Sequence, residues 1–257
     1  MKITPSDLAL YGVCRKKWQL KKSGAEREKR QVLASALFSQ ALHFAAKKMT
    51  EMENPIEVFN EKWSSYELSE MPIVYSGNDS WASLSMLGNA LLKKFEKEFP
   101  EQGIETLLAE NRVTVDIDGI KLVLQPDLVG EQGNDYVVGD YKTSESILSD
   151  DGFDDQLTAG ALLVSREFDV DKVRTVICNF VKSTETIIWR YSERTKEQID
   201  TFVDKIKQTA VDMQQPIQPV CGAKTDEAPC KFCEYRASCH TEEQELCESL
   251  TAFGMEV

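Results

Sequence analysis

The stretch Leu122-Val-Leu-Gln-Pro-Asp-Leu-Val-Gly130, followed by Tyr136-Val-Val-Gly-Asp-Tyr-Lys142, predicts two neighbouring strands around which the chain is built. Side chains alternate between the two faces of a strand, so the carboxylate of Asp140 and the ammonium of Lys142 share one face. If the loop between the runs closes symmetrically near residues 130–135, residue 127 lies opposite residue 138. Asp127 then sits diagonally from Asp140 on the same face, about 7–8 Å away between backbones and within reach of one cation. A slip of one residue would turn Asp127 to the other face.

Two carboxylates and an ammonium in this arrangement suit the hydrolysis of a phosphodiester bond. That reaction needs a cation to neutralise developing charge, an activated water and a positive group near the line of attack. Asp127, Asp140 and Lys142 supply groups of these kinds. A bare Asp-x-Lys is more often a surface ion pair on a hairpin, but the apolar residues before it and the Asp one strand back favour a site. Pro126 cannot donate to the strand ladder, so it predicts an edge or a bulge.

The order of these residues, an Asp in one strand and Asp-x-Lys in the next, resembles the PD-(D/E)xK nuclease superfamily. Within this superfamily the chain resembles the RecB-like exonucleases with an iron–sulfur cluster, a group with CRISPR-associated members and phage relatives. This narrower resemblance depends on His43, on Gln156 and on the cysteines described below. His43, which ends Ala36-Leu-Phe-Ser-Gln-Ala-Leu-His43, is similar to the helical histidine of that group, and Gln156 is similar to the first residue of its Gln-x-x-x-Tyr helix. The chain departs from the family at Gly160, which replaces that Tyr, and at Gln125-Pro126, where the family usually has a Gly and a variable residue.

The resemblance implies an α/β fold with a restriction-endonuclease-like mixed central sheet flanked by helices. We expect a single RecB-like nuclease domain over residues 1–257, with a helical insert at about 50–104. A C-terminal metal-cluster segment, residues 214–257, would pair with the N-terminal helix.

The resemblance also implies the parts of a catalytic site. Mg²⁺ or Mn²⁺, as one or two ions, would be held by His43, Asp127 and Asp140, with the carbonyl of Tyr141 assisting. Lys142 would orient or deprotonate the attacking water, and Gln156 would position the water or the phosphate. The expected catalytic residues are therefore Asp127, Asp140, Lys142 and Gln156. Glu110 is a further acidic candidate near the metal.

A second metal centre is predicted from the cysteines. Cys230-Lys-Phe-Cys233 and then Cys239 place three thiolates close together in the sequence, the first pair at the two-residue gap that lets both reach one metal. In the resembling family the fourth ligand is a cysteine near the N-terminus, and Cys14 matches that place. We expect a [4Fe-4S] cluster; structural Zn²⁺ is the alternative, and spacing does not separate the two. The lower-ranked ligand candidates are Cys221 and His240.

The rest of the chain predicts ordinary packing elements. Ser6 is a candidate N-cap for a first helix that continues through Cys14, and a second helix from Arg30 to Thr50 contains His43. The Asp118-Gly119 pair predicts a hairpin turn. Further expected elements are a helix that starts at Trp81, strands at 173–181 and 185–191, and a helix at 194–213.

Composition bears on partners and compartment. The net charge of −13 is unfavourable for binding phosphates, but residues 1–30 carry nine Lys and Arg against three Asp and Glu, a local +6. Basic residues beside Trp18 could follow a nucleic-acid backbone while Trp18 stacks on a base, although a solvated helix face with a core Trp is an equal alternative. Seven cysteines, an odd number, favour a reducing compartment, and the cytoplasm is expected. No sequence window predicts a membrane span or a secretory signal.

The expected function is a divalent-metal-dependent deoxyribonuclease, an exonuclease on single-stranded DNA in recombination and repair or in CRISPR adaptation. A CRISPR integrase or a helicase of recombination is the expected protein partner, and no membrane is involved. The alternative is a catalytically silent member of the fold that binds DNA or a protein as a partner subunit. Gly160 and the acidic net charge favour that alternative, whereas the Asp127, Asp140 and Lys142 set favours the enzyme.

Overall fold

A computed structural model of the chain describes residues 1–27, 32–51, 53–68, 72–108, 112–148, 155–215, 230 and 233–239. The chain divides into two compact units. The larger consists of Gln31–Lys205 with Lys2, and the smaller of Ile3–Arg30 and Ile206–Val257 with Met1. The expectation of one domain over the whole chain stays a prediction.

The described residues form seven helices and ten strands. The helices are α1 Pro5–Val13, α2 Arg15–Ser23, α3 Ala34–Met49, α4 Pro55–Glu67, α5 Trp81–Glu101, α6 Asp155–Phe168 and α7 Lys196–Asp212. The strands are β1 Lys2–Ile3, β2 Val32–Leu33, β3 Ile73–Val74, β4 Glu105–Leu108, β5 Val113–Ile117, β6 Ile120–Leu124, β7 Leu128–Gln132, β8 Asp135–Ser144, β9 Lys172–Val181 and β10 Thr186–Thr195. Within the described ranges, no helix is both long and apolar enough to cross a membrane.

The larger unit is built on a five-stranded mixed sheet with the order β10-β9-β8-β7-β4. The pair β8–β9 is parallel, because α6 connects the two strands, and the other pairs are antiparallel. The same unit also contains the helices α3, α4, α5 and α6. The predicted α/β fold with a mixed central sheet is therefore confirmed.

The first predicted strand, Leu122–Gly130, is in fact two strands that belong to different sheets. β6 pairs with β5 across the predicted Asp-Gly turn, where Asp118 and Gly119 both have positive φ, whereas β7 pairs with β4 and β8. The chain changes sheet at Gln125–Asp127, where Pro126 cannot contribute an N–H to a ladder. The predicted continuous strand was wrong, and Pro126 lies in a break between two strands instead of at the predicted edge or bulge.

The register between β7 and β8 also differs from the prediction. Leu128 lies opposite Gly139 and Val129 opposite Val138, so residue 138 faces residue 129 instead of 127. Both strands run on to a two-residue turn at 133–134, which is shorter than the symmetric loop assumed from the sequence. Because the difference is two residues, the side chains of the paired residues keep their predicted faces, whereas Asp127 lies just before β7 and is not part of the pairing.

The two faces of the central sheet have different environments. On one face Tyr141 and Phe180 join the apolar core with α3, α4 and α5, the last two of which form most of the predicted insert. On the other face α6 packs against β8 at Gly160, where an added Cβ would lie 2.5 Å from Cγ1 of Val138. Gly160 therefore allows the close approach of helix and strand, and the tyrosine of the family pattern does not fit beside this valine.

In the smaller unit, the single N-terminal helix predicted from the sequence is two helices. Thr4, not Ser6, caps α1: its hydroxyl accepts from the Asp7 N–H at 3.1 Å, and the Asp7 carboxylate accepts from the Thr4 N–H. Cys14 has an extended backbone and ends α1. Its Sγ accepts a hydrogen bond from the Lys17 N–H at 3.3 Å, which caps α2. Cys14 thus lies at a helix junction.

Candidate active site

Asp140, Lys142 and Gln156 form a connected polar group on the α6 face of the sheet. Asp140 is 2% exposed, and its Oδ2 lies 2.8 Å from Nζ of Lys142. The Lys142 ammonium also donates to Oε1 of Gln156 at 3.3 Å. Strand alternation places Asp140 and Lys142 together, and the first turn of α6 brings in the exposed Gln156. The three groups expected from the sequence to act on water and phosphate are therefore neighbours.

Asp127 lies in the chain segment between β6 and β7 and is 7% exposed. Its Oδ2 accepts a hydrogen bond from the backbone N–H of Tyr141 at 2.8 Å, and its Oδ1 lies 2.7 Å from Nζ of Lys47. The carboxylate thus takes the strand N–H at the position where Pro126 interrupts the ladder. Buried carboxylates require such partners, since an isolated buried charge is very costly.

Sequence reasoning missed Lys47. It lies four residues after His43 on α3, so the two side chains emerge from the same face of the helix. The spacing could have predicted Lys47, because a residue four positions after a candidate ligand on a helix points to the same region. Lys47 has 14% of its side chain exposed in the ion pair with Asp127.

His43 lies on the opposite face of β8, beside Tyr141 and Phe180. Nε2 of His43 is 3.0 Å from Oγ1 of Thr143, and its ring centroid is 6.3 Å from those of Tyr141 and Phe180. Burial lowers the pKa of His43 from 6.5 to about 4; the charge of Asp127 opposes this shift and that of Lys47 adds to it. His43 is therefore a neutral imidazole at pH 7, which is the form that binds metals.

The donor types at this site suit a hard divalent cation. Carboxylate oxygens are preferred by Mg²⁺ and Mn²⁺, and an added imidazole suits Mn²⁺ well. Asp127 and Asp140 supply such oxygens, each beside an ammonium group that already balances its charge. Within the described part of the chain, no three His, Cys, Asp or Glu side chains are close enough to form a ready-made metal site. The predicted ligands are not gathered around one point, since Asp140 lies on the α6 face of β8, His43 lies on the opposite face, and Asp127 contacts the Tyr141 N–H.

The cysteine set belongs to the smaller unit, and four of its members lie in described residues. Cys14, Cys230, Cys233 and Cys239 form no disulfide bonds in that part of the chain. The Cys233 N–H donates to the Cys230 carbonyl and the Cys239 N–H to the Tyr235 carbonyl, so a backbone hydrogen bond fixes each of these two cysteines to a residue nearby in the sequence. The lower-ranked candidates Glu110, Cys221 and His240 lie outside the described residues.

Contacts within the smaller unit join the N-terminal helices to the C-terminal segment. Nζ of Lys17 lies 2.8 Å from Oε2 of Glu234, and Nε of Arg27 donates to the hydroxyl of Tyr235 at 2.7 Å. Trp18 is buried and packs edge-on against Tyr11, with 5.3 Å between ring centroids. The core alternative for Trp18 is the one observed, and stacking of this ring on a base is excluded.

Comparison with known proteins identifies the family. The sequence matches the PD-(D/E)XK nuclease superfamily over residues 2–240, which is nearly the whole chain. The chain belongs to this superfamily. The predicted recognition is therefore confirmed for the PD-(D/E)XK superfamily, and the chain is a nuclease by family.

Solved structures agree with the PD-(D/E)XK fold. A protein from Eubacterium rectale, provisionally named as an exonuclease, superimposes with a TM-score of 0.55 at 11% identity over 82% of this chain and 79% of its own. A protein named SSO0001 covers 87% of this chain and 92% of its own at 14% identity, but its TM-score of 0.31 is too low to carry an argument. No curated protein matches the chain.

Proposed function

We propose that the protein is a divalent-metal-dependent exonuclease that hydrolyses the phosphodiester bonds of single-stranded DNA. The observation that carries this proposal is the Lys142 ammonium, which contacts both the buried Asp140 carboxylate and the exposed Gln156 amide. One cationic group thus links a candidate metal ligand to a residue that substrate can reach. Membership of the PD-(D/E)XK superfamily supports the nuclease activity.

Each residue has a role that follows from its position. Asp140 holds the Lys142 side chain in place by the 2.8 Å ion pair, so that the ammonium stays directed at the reacting water or phosphate. Gln156 accepts from Lys142 through Oε1, and its amide nitrogen is the group that would donate to a phosphate oxygen. Asp127 is fixed by the Tyr141 N–H and presents its other oxygen toward α3.

Asp127, Asp140 and the neutral His43 are the residues that would hold the cation, with the Tyr141 carbonyl as a further oxygen donor. When bound, Mg²⁺ or Mn²⁺ supplies charge neutralisation at the phosphate and activation of a water. The imidazole of His43 needs no deprotonation before it binds, because burial keeps the pKa near 4.

A nuclease assay on a 5′- or 3′-labelled single strand with Mn²⁺ tests the proposal. Asp140→Ala and Lys142→Ala should each lose activity, whereas Asp171→Ala and Lys196→Ala should keep it. The control pair is matched in chemistry, since Asp171 and Lys196 form an exposed ion pair at 2.9 Å. Unchanged activity in both site variants would refute the proposed site.

For the cysteine set, we propose a [4Fe-4S] cluster on Cys14, Cys230, Cys233 and Cys239, with structural Zn²⁺ as the alternative. Thiolates suit both centres. Cys14 is well suited as a ligand because its sulfur accepts a helix N-terminal N–H, a position that favours negative charge. The ion pair of Lys17 with Glu234 supports the pairing of this helix with the C-terminal segment.

The visible spectrum of anaerobically purified protein separates the two centres. A broad brown absorbance supports the cluster if it is lost in Cys233→Ala and kept in Cys247→Ala, since Cys247 is a cysteine outside the proposed ligand set. A colourless protein with bound zinc supports the alternative. A protein that carries neither metal contradicts both.

A catalytically silent member that binds DNA or a partner protein is favoured by Gly160 and by the net charge of −13. Protein that binds single strands but never shortens them would decide for it. The acidic net charge also supports a function in complex with a partner protein that has a positive surface. The two candidate partners are a CRISPR integrase and a helicase of recombination, and the proposed compartment is the cytoplasm. Co-expression with each and measurement of DNA degradation by the complex distinguishes them.

A further inference from the structure

Lys47 contacts the oxygen of Asp127 that a cation would need. Nζ of Lys47 lies 2.7 Å from Oδ1 of Asp127, while Oδ2 of the same carboxylate accepts the Tyr141 N–H at 2.8 Å. The backbone contact fixes the carboxylate, so Oδ1 is the oxygen directed at α3. A cation that binds Asp127 through Oδ1 must therefore displace the ammonium.

We propose that Lys47 is an internal competitor for the divalent cation at Asp127, and that it sets the metal affinity of the enzyme. This inference rests on the proposed function. The ammonium balances the charge of a carboxylate that is only 7% exposed, and it leaves that carboxylate when a divalent ion binds. Metal binding and movement of Lys47 are thus one coupled event.

The lysine side chain is suited to such an exchange. It is a compact charge on a flexible four-carbon stem, so it can leave one partner and take another with little movement of the backbone. Lys47 has 14% of its side chain exposed, which gives the released ammonium access to solvent and to a nearby phosphate. An arginine would bind the carboxylate through two hydrogen bonds and would be harder to displace.

The size of the effect follows from the population of the released state. The apparent dissociation constant equals the intrinsic constant divided by the fraction of molecules in which the ammonium has left Asp127. If that fraction is about one in ten, removal of the competitor lowers the constant about tenfold. Lys47→Met, which keeps the length of the stem without the charge, should bind metal that much more tightly.

The test is titration of the DNA-free protein with Mn²⁺, followed by the electron paramagnetic resonance signal of the free ion. Lys47→Met and Lys47→Gln should lower the dissociation constant at least fivefold, and Lys47→Arg should leave it equal or higher. Lys48→Met is the matched control: Lys48 is the next residue of α3, but it pairs with Glu51 on the surface, so its loss should change the constant less than twofold. Thermal unfolding of each variant reports whether it is folded.

Three results would overturn the inference. The first is a constant in Lys47→Met and Lys47→Gln that is equal to or higher than that of the wild type. The second is an equal gain in Lys48→Met, which would assign the effect to the general charge of α3. The third is no Mn²⁺ binding by any variant, which would also remove the metal site of the proposed function. If Asp140→Asn loses Mn²⁺ binding while Lys47→Met leaves it unchanged, the metal site stands and only the role of Lys47 fails.

Discussion

The candidate nuclease site and the cysteine set are organised in different ways. At the nuclease site each buried carboxylate is paired with an ammonium of the protein itself, Asp127 with Lys47 and Asp140 with Lys142. In the cysteine set, the Cys14 sulfur accepts the Lys17 N–H and the Cys230 carbonyl accepts the Cys233 N–H, so both contacts use backbone N–H groups. The first site is held by charge pairs within the protein, whereas the second would depend on the metal centre proposed for its thiolates. The comparison predicts that changes at the first site affect activity and that changes at the second affect folding.

The largest expected effect is on catalysis. Asp140→Asn should lower the rate of single-strand degradation by about a thousandfold or more, because it removes both a proposed metal ligand and the ion-pair partner of Lys142. Its midpoint of thermal unfolding should change by only a few degrees, since the amide keeps the shape of the carboxylate. A large loss of stability with little loss of activity would contradict the assignment of this site.

The next effect concerns the cysteine unit. Cys233→Ala should lower the free energy of unfolding by about 3 kcal/mol or more and should release the bound metal, because binding of a structural ion is coupled to folding. Metal analysis and chemical denaturation measure the two effects. Cys178 lies in the apolar core of the larger unit. The Cys178→Ala variant is therefore a control that should lose stability without losing metal.

The third prediction concerns the support of Gln156 by α6. Gly160→Ala should lower the free energy of unfolding by about 1–3 kcal/mol, because the added Cβ meets Cγ1 of Val138 at 2.5 Å. Gly12→Ala in α1 is the matched control, since nothing lies within 4 Å of its added Cβ. That change should be neutral or stabilising by up to about 1 kcal/mol.

A second substitution tests the cause of the loss. Val138→Ala removes the methyl groups that the Gly160→Ala side chain would meet, so the double variant should lose less stability than the two single losses added together. Strict additivity of the two losses would show that the contact is not responsible.

The smallest expected effect is a dependence of stability on pH. The pKa of His43 in the folded protein is about 4, below its ordinary value of 6.5, so the native state binds fewer protons than the unfolded state. The contribution of the neutral His43 to the free energy of unfolding is fully present above pH 6.5 and is lost as the pH falls toward 4. With a chelator present, the free energy of unfolding should fall by roughly 1–2 kcal/mol from pH 7 to pH 5. His43→Asn should remove this part of the dependence of the free energy of unfolding on pH. If the dependence is the same in the variant and the wild type, His43 is not buried as described.

The sequence predicted the features of the site that depend on periodicity. Alternation along a strand places Asp140 with Lys142, and helical spacing places Gln156 in the first turn of α6. Outside the site, the Asp118-Gly119 turn also follows from a local pattern.

The features that were missed depend on contacts between distant residues. The register of β7 on β8 is set by the length of the turn, and the change of sheet near Pro126 depends on which neighbour each strand finds. The ion-pair partner of Asp127 is Lys47, which lies on a helix far away in the sequence. The packing of Trp18 on Tyr11 depends on the break between α1 and α2 at Cys14. Local propensity carries no information on such partners.

The bond between the Asp127 side chain and the Tyr141 N–H has an evolutionary consequence. Asp127 serves the fold as well as the proposed chemistry, because its carboxylate satisfies a backbone group that the interrupted ladder would otherwise leave without its partner. A lineage that abandons cleavage while keeping the scaffold should therefore lose Lys142 early and Asp127 late. A relative in which Asp127 survives alone would mark the remains of a former enzyme.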